Sequence, residues 1–249
     1  MGSSKIVKRC FGKQASPQVL YGKNALRLQS WINHFGHSSL SFNDRQTEAM
    51  AHLLPLLLCG EQSAQLVFNQ EIIRLRDNSI KHHSIISAHS ERLISSLMEV
   101  ESDECRHDTA LQSVVDNLPE VDSVAKVQRL AKRFYTSLGR VDNYSHHFVR
   151  IAVLDTCVTQ IMQAFEHSHL GANHPFSQLC GLIKKDEAKH VYISRHHAME
   201  LGADNAEFNQ QQESITQNLF QLLRSQDRAF EHMGICLDAL QDKLEEKWQ

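Results

Sequence analysis

Glycine and proline are scarce in this chain, ten and four among 249 residues. Hairpin turns depend on them, and the long stretches between them are rich in Leu, Gln, Glu, Arg, Ala and His, residues at ease in a helix. A strand-rich fold is therefore excluded and an all-α fold is expected. Cys-x-x-Cys pairs are missing as well. The six cysteines, at positions 10, 59, 105, 157, 180 and 236, follow no regular framework and read as reduced thiols of a cytoplasmic protein. No apolar run reaches the roughly 18 to 20 residues of a membrane span, and the start lacks the apolar core of a signal peptide, so no membrane role is expected. Acidic residues are absent from positions 1–43, which hold Lys5, Lys8, Arg9, Lys13, Lys23 and Arg27, although the whole chain carries a net charge of −3. Six charges spread over 43 residues read as a solvated basic arm rather than a nucleic-acid-binding one.

What is present is helix punctuation. Ser41-Phe42-Asn43-Asp44 offers capping side chains ahead of an apolar pattern through Leu54, Leu57, Ala64, Phe68 and Leu75, which Pro55 is expected to kink or to start. A turn is expected within Asp77–Ser84, then a second stripe through Leu93, Leu97, Val100, Leu111 and Val114 that stops near Pro119. A shorter helix, Ser123–Leu138, gives the chain room to cross to the other end of a bundle. Third and fourth long helices are expected from about Asp142 to Leu170 and from Ser177 to Leu201. The organisation is thus a basic arm at 1–43, a helical bundle at 44–202 and a C-terminal helical segment at 203–249. That last segment is expected to pack across the bundle or to form an oligomer interface, as in a homodimer.

One pattern occurs twice. Asp103-Glu104-Cys105-Arg106-His107 and Asp186-Glu187-Ala188-Lys189-His190 share the order Asp-Glu-x-basic-His, 83 residues apart. A Glu and a His three residues apart lie on one helix face. Glu104 and His107 fall in the apolar stripe of the second helix, and Glu187 and His190 in the stripe Leu179, Ile183, Glu187, His190, Ser194, His197, Leu201. Asp155 stands in the middle of Phe148, Ile151, Asp155, Val158, Met162 and Phe165, and Glu61 and Glu71 both interrupt the stripe of the first helix. Four helices thus each aim a carboxylate at one core, with no Lys or Arg at the matching inward positions. Buried carboxylates without a counter-charge cost several kcal/mol each and raise one another's pKa. A pair of metal ions is the natural counter-charge, and carboxylate with imidazole suits iron or manganese.

One carboxylate from each of two helices and Glu-x-x-His from each of two others resembles the ligand set of the ferritin-like di-iron carboxylate proteins. Gly60-Glu61-Gln62-Ser63-Ala64 is similar to the stretch around the first metal glutamate of rubrerythrins. The resemblance covers about residues 45–200. It implies a ferritin-like four-helix bundle with a long crossover and extra terminal helices, binding two iron ions, or manganese, through Glu61, Glu104, His107, Asp155, Glu187 and His190. Glu104 and Glu187 would be the bridging, catalytic carboxylates, and Asp103 and Asp186 would each reach the opposite motif's His. Asp stands at 155 where the family more often has Glu. The first ligand spacing also differs, 43 residues from Glu61 to Glu104 against 32 from Asp155 to Glu187. A turn near 82–84 selects Glu61, which is preferred, and a turn near 87 selects Glu71.

A Cys-x-x-Cys rubredoxin unit is missing, and the segments added around the bundle suit a protein that encloses a substrate. The expected function is therefore that of an oxygen-dependent di-iron oxygenase or hydroxylase. It would act on a small organic substrate with molecular oxygen and a separate electron-donor reductase; the alternative is a ferroxidase-type or non-enzymatic metal-binding protein. The pairs His82-His83, His146-His147 and His196-His197 read as surface residues. Tyr135, Tyr144 and Tyr192 read as packing, and Cys105 as a small buried side chain.

Overall fold

In the computed structural model, residues 9–12, 19, 21–81, 88–140 and 143–248 are described. Their helices are α1 Gly22–Phe35, α2 Asp44–Lys81, α3 Ala88–Val115, α4 Val124–Leu138, α5 Tyr144–Glu166, α6 Pro175–Glu200, α7 Asn205–Leu223, α8 Asp227–His232 and α9 Leu237–Trp248. Among the described residues there is no strand, and the fold is all-α.

Side-chain chemistry explains most helix ends. Asn43 and Gln46 exchange bonds, each side chain accepting from the other's backbone N–H at 2.9 and 3.0 Å, and this starts α2 at Asp44. Pro55 sits inside α2, so the expectation that it marks the true start is overturned. Asn143 caps α5 by accepting from the His146 N–H, and His174 with Pro175 opens α6. The expected turn within Asp77–Ser84 does not begin before Lys81, where α2 ends, and residues 82–87 lie outside the described ones, as do His82 and His83.

Contacts between helices fix their directions. Gln62 bonds Asp108 at 3.0 Å and Asn69 bonds Glu101 at 2.8 Å, so α2 and α3 are antiparallel. Lys189 pairs with Glu99 and His107 with Asp186, so α3 and α6 are antiparallel. Ser194 bonds Asp155 and Lys184 pairs with Glu166, which makes α5 antiparallel to α6. Hence α3 and α5 run the same way, and the link between them must return along the length of the molecule. The connection containing α4 makes that crossover, with α4 packed on α2.

Two apolar regions form the core. One contains Leu53, Leu54, Leu111, Ile161, Phe165, Phe176 and Ile183, the other Phe68, Leu97, Val100, Phe148 and Ala198. Between them α3 buries Glu101 to Glu104 and Arg106 to Asp108, and α6 buries Asp186, Glu187 and His190. A polar layer thus divides the interior.

The structure corrects three readings. Cys10 and Cys59 are joined by a disulfide and are not free thiols; Cys105, Cys157, Cys180 and Cys236 are free. The basic segment is not wholly a solvated arm: α1 buries Ala25, Leu28 and Trp31, and the Trp31 indole donates to the Pro175 carbonyl at 2.9 Å, although Lys23 and Arg27 stay exposed. Helix α5 does meet the length and composition of a membrane span, with 72% of its most apolar window buried inside the fold.

The C-terminal segment breaks at Arg224–Gln226 and at Gly234, whose φ is +77°, and folds onto the bundle. Phe230 of α8 meets Phe165 of α5 with ring centroids 5.8 Å apart.

Candidate metal centre

The two Asp-Glu-x-basic-His motifs face each other across the interior on α3 and α6. His107 and His190 are fully buried with ring centroids 5.9 Å apart. Each imidazole presents Nε2 to the aspartate of the opposite motif, His107 to Asp186 and His190 to Asp103, both at 3.3 Å. Each presents Nδ1 to glutamates: His107 lies 3.0 Å from Glu61, and His190 lies 3.1 Å from Glu104. A carboxylate accepting from Nε2–H fixes the tautomer in which Nδ1 carries a lone pair toward the glutamates.

Glu104 and Glu187 occupy the centre. Glu104 sends one oxygen to within 3.9 Å of the His107 Nδ1 and the other to 3.1 Å of the His190 Nδ1. Glu187 does the same at 3.5 and 3.8 Å. Both glutamates are therefore disposed as bridges between the two halves. Donor atoms of Glu61, Glu104, His107 and Glu187 all lie within 4.8 Å of one another. Asp155 completes the arrangement from α5, buried, lining the same cavity and accepting from Ser194 at 3.2 Å.

No family model, curated protein or solved structure matches this chain. The reading of the centre therefore rests on its own chemistry.

That chemistry asks for a cation. Burial, with the charges of Glu187 and Glu61, pushes the Glu104 carboxyl well above the usual carboxylate range. Burial and Glu187 do the same to Asp155. The His107 imidazole is desolvated, yet Glu61, Asp186 and Glu187 raise its pKa well above that of a free histidine, so without a metal it takes up the charge itself. The buried His190 Nδ1 has no hydrogen-bond partner although Glu104 is near. Four carboxylates and two imidazoles whose Nδ1 atoms face them fit a pair of divalent ions, and binding them would displace protons. The structure thus supports a buried group able to hold metal; its donor set does not distinguish iron from manganese.

Of the six residues expected as ligands, Glu61, Glu104, His107 and Glu187 converge in one buried group, His190 approaches Glu104 and Glu187, and Asp155 lines the cavity beside them. Glu71 is elsewhere: fully buried, it accepts from Arg74 at 2.5 Å and faces His197 at 2.7 Å. His197 is accordingly a core residue, not a surface one. The inward stripes carry no Arg or Lys, yet two basic residues beside them reach the buried Asp103. Arg106, only 2% exposed, donates to Asp103, and Lys189 donates to the other Asp103 oxygen at 2.5 Å. His190 above all, then His107 and Lys189, hold Asp103 well below the usual carboxylate range despite its burial. The one sign of Arg106 and Lys189 in the sequence is the basic residue that stands before the His of each motif.

Tyr135 was read as packing, whereas the structure puts its hydroxyl beside the centre. A Cβ on Gly60 would lie 2.9 Å from that oxygen, and burial with the four site carboxylates raises the phenol's pKa so that it stays protonated. Tyr192, by contrast, is 71% exposed, and Cys105 is half-buried.

Proposed function

We propose that this chain is a ferritin-like di-iron carboxylate protein that activates dioxygen to hydroxylate a small organic substrate. Two observations support the reading: paired Glu-x-x-His motifs with two bridging glutamates, and the cavity that Glu61, Glu104, Asp155 and Glu187 line together. Glu61, Glu104 and His107 would hold one iron, and Asp155, Glu187 and His190 the other, with manganese an acceptable replacement. The bound pair would supply the electron transfer that dioxygen activation needs. In hydroxylation one oxygen atom enters the substrate C–H bond and the other leaves as water, using two electrons from a separate reductase and two protons.

The chain's own residues set the conditions. Asp103 and Asp186 hold the imidazole N–H groups and keep Nδ1 directed inward. Glu104 and Glu187 reach both halves and can shift between them. Tyr135 keeps a protonated hydroxyl at the cavity wall, and the aliphatic walls keep water away from the carboxylates.

A single-turnover assay with ferrous-loaded protein tests the function. Incorporation of labelled oxygen into an organic product supports it; oxidation of iron alone, with every candidate substrate unchanged, would favour the ferroxidase or metal-binding alternative.

A further inference from the structure

The cavity beside the carboxylates has a volume of about 70 Å³. It follows α2 from Leu56 to Val67, which at ~1.5 Å rise per residue is about 16 Å of helix. The opposite wall is α5 from Ile151 to Met162, and Leu138 of α4 with Leu219 and Leu222 of α7 close it over. So little volume along such a length makes a slot, not a chamber. Apart from the four carboxylates, only Ser63, Tyr135 and His147 bring polar side chains to it. No Lys, Arg, Asn, Gln, Phe or Trp lines it among the described residues, so beyond Ser63, Tyr135 and His147 nothing there pairs with a phosphate or amide or stacks on a flat ring system, and the rest of the wall is aliphatic. Close approach of the Tyr135 hydroxyl to Gly60 narrows the slot beside Glu61.

We propose that this slot is a binding site for an unbranched alkyl chain, held with a methylene group against the carboxylate floor. The inference deepens the oxygenase reading and rests on it for the chain's role as substrate. Aliphatic walls reward each buried methylene, the narrow section excludes branched and fused-ring groups, and the polar floor lies beside the chain where reaction is needed.

Calorimetric titration of the full-length protein with hexanoate, octanoate and decanoate, and with benzoate and naphthoate, tests it, with metal content measured on the same sample. Kd should fall about four-fold per added methylene, and naphthoate should not bind. Ala64→Phe, which fills the slot from α2, should weaken decanoate at least ten-fold while metal content is kept; Leu222→Trp does the same from α7 if the first variant fails to fold. Affinity indifferent to chain length, naphthoate binding as tightly as decanoate, or wild-type affinity in a folded slot-filling variant would overturn the proposal. Metal retained without chain binding sinks the slot and leaves the metal centre standing; chain binding by a protein that takes no metal supports the slot and sinks the centre.

Discussion

Replacing Asp103 or Asp186 by alanine removes the same hydrogen bond from two different imidazoles, yet the two changes should not cost the same stability. Each aspartate holds an Nε2 at 3.3 Å, so each loss frees one ring to rotate. Losing such a supporting carboxylate costs about 10- to 100-fold in metal affinity, and that should hold for both variants. Asp103 does more, because it also neutralises buried Arg106 and receives Lys189. A buried guanidinium left without its carboxylate costs about 3 to 5 kcal/mol. Arg106 keeps bonds to Ser102 at 2.7 Å and to the Val19 carbonyl at 2.5 Å, which places Asp103→Ala near the low end, about 3 kcal/mol. Beyond the imidazole pairing that both variants lose, the nearest Lys or Arg to Asp186 among the described residues is Lys189 at 4.0 Å, so its replacement should cost less, about 2 kcal/mol for one charge-assisted bond. Denaturant titration of the metal-free proteins reads the stabilities, and competition with a chelator reads the affinities. Equal stabilities, or metal affinity unchanged in both variants, would refute the reasoning.

Four further outcomes are expected. Phe165→Ala removes a fully buried ring that meets Phe176 and Phe230 and should cost about 3 to 5 kcal/mol in denaturant melts. Gly234→Ala should destabilise by about 1 to 3 kcal/mol, because its φ is +77° and a Cβ there would run into the His169 ring. Reducing the Cys10–Cys59 disulfide, which closes a loop of sequence separation 49, should lower thermal stability by about 2 to 4 kcal/mol. Glu71 is desolvated, but Arg74 and His197 outweigh that and lower its pKa; its pairing therefore stabilises the fold above the ordinary carboxylate value of about 4.3 and is lost as pH falls through the lowered value. The stability gap between wild type and Glu71→Gln should accordingly be widest near neutral pH and should close below about pH 4; a gap that widens in acid would contradict the assignment.

The helices and the centre were legible because both rest on local periodicity. Stripes at three-four spacing place Glu104, His107, Glu187 and His190 inward whatever the partners are, and Asn43, Gly139 and His174-Pro175 mark helix ends through their own chemistry. What escaped depends on contacts between distant segments. The Cys10–Cys59 pairing has no local sign, since residue 10 lies outside every helix and only the folded chain returns it to α2. Arg106 and Lys189 flank the inward stripe instead of lying on it, and only the approach of α3 to α6 gathers them on Asp103. The choice between Glu61 and Glu71 turned on the register of α2 against α3. The bonds Gln62–Asp108 and Asn69–Glu101 set that register and bring Glu61 to His107, leaving Glu71 to Arg74 and His197. His197 was misjudged as surface because of its neighbour His196, although it lies on the same inward stripe as His190.

Elemental analysis of the purified protein beside Glu104→Ala and Glu187→Ala tests the central claim most directly, since both glutamates approach both imidazoles. About two iron or manganese ions per chain are expected, four carboxylates balancing two divalent charges, with the metal lost from each folded variant. A folded wild-type protein that contains no metal and takes up neither iron nor manganese on reconstitution would contradict it.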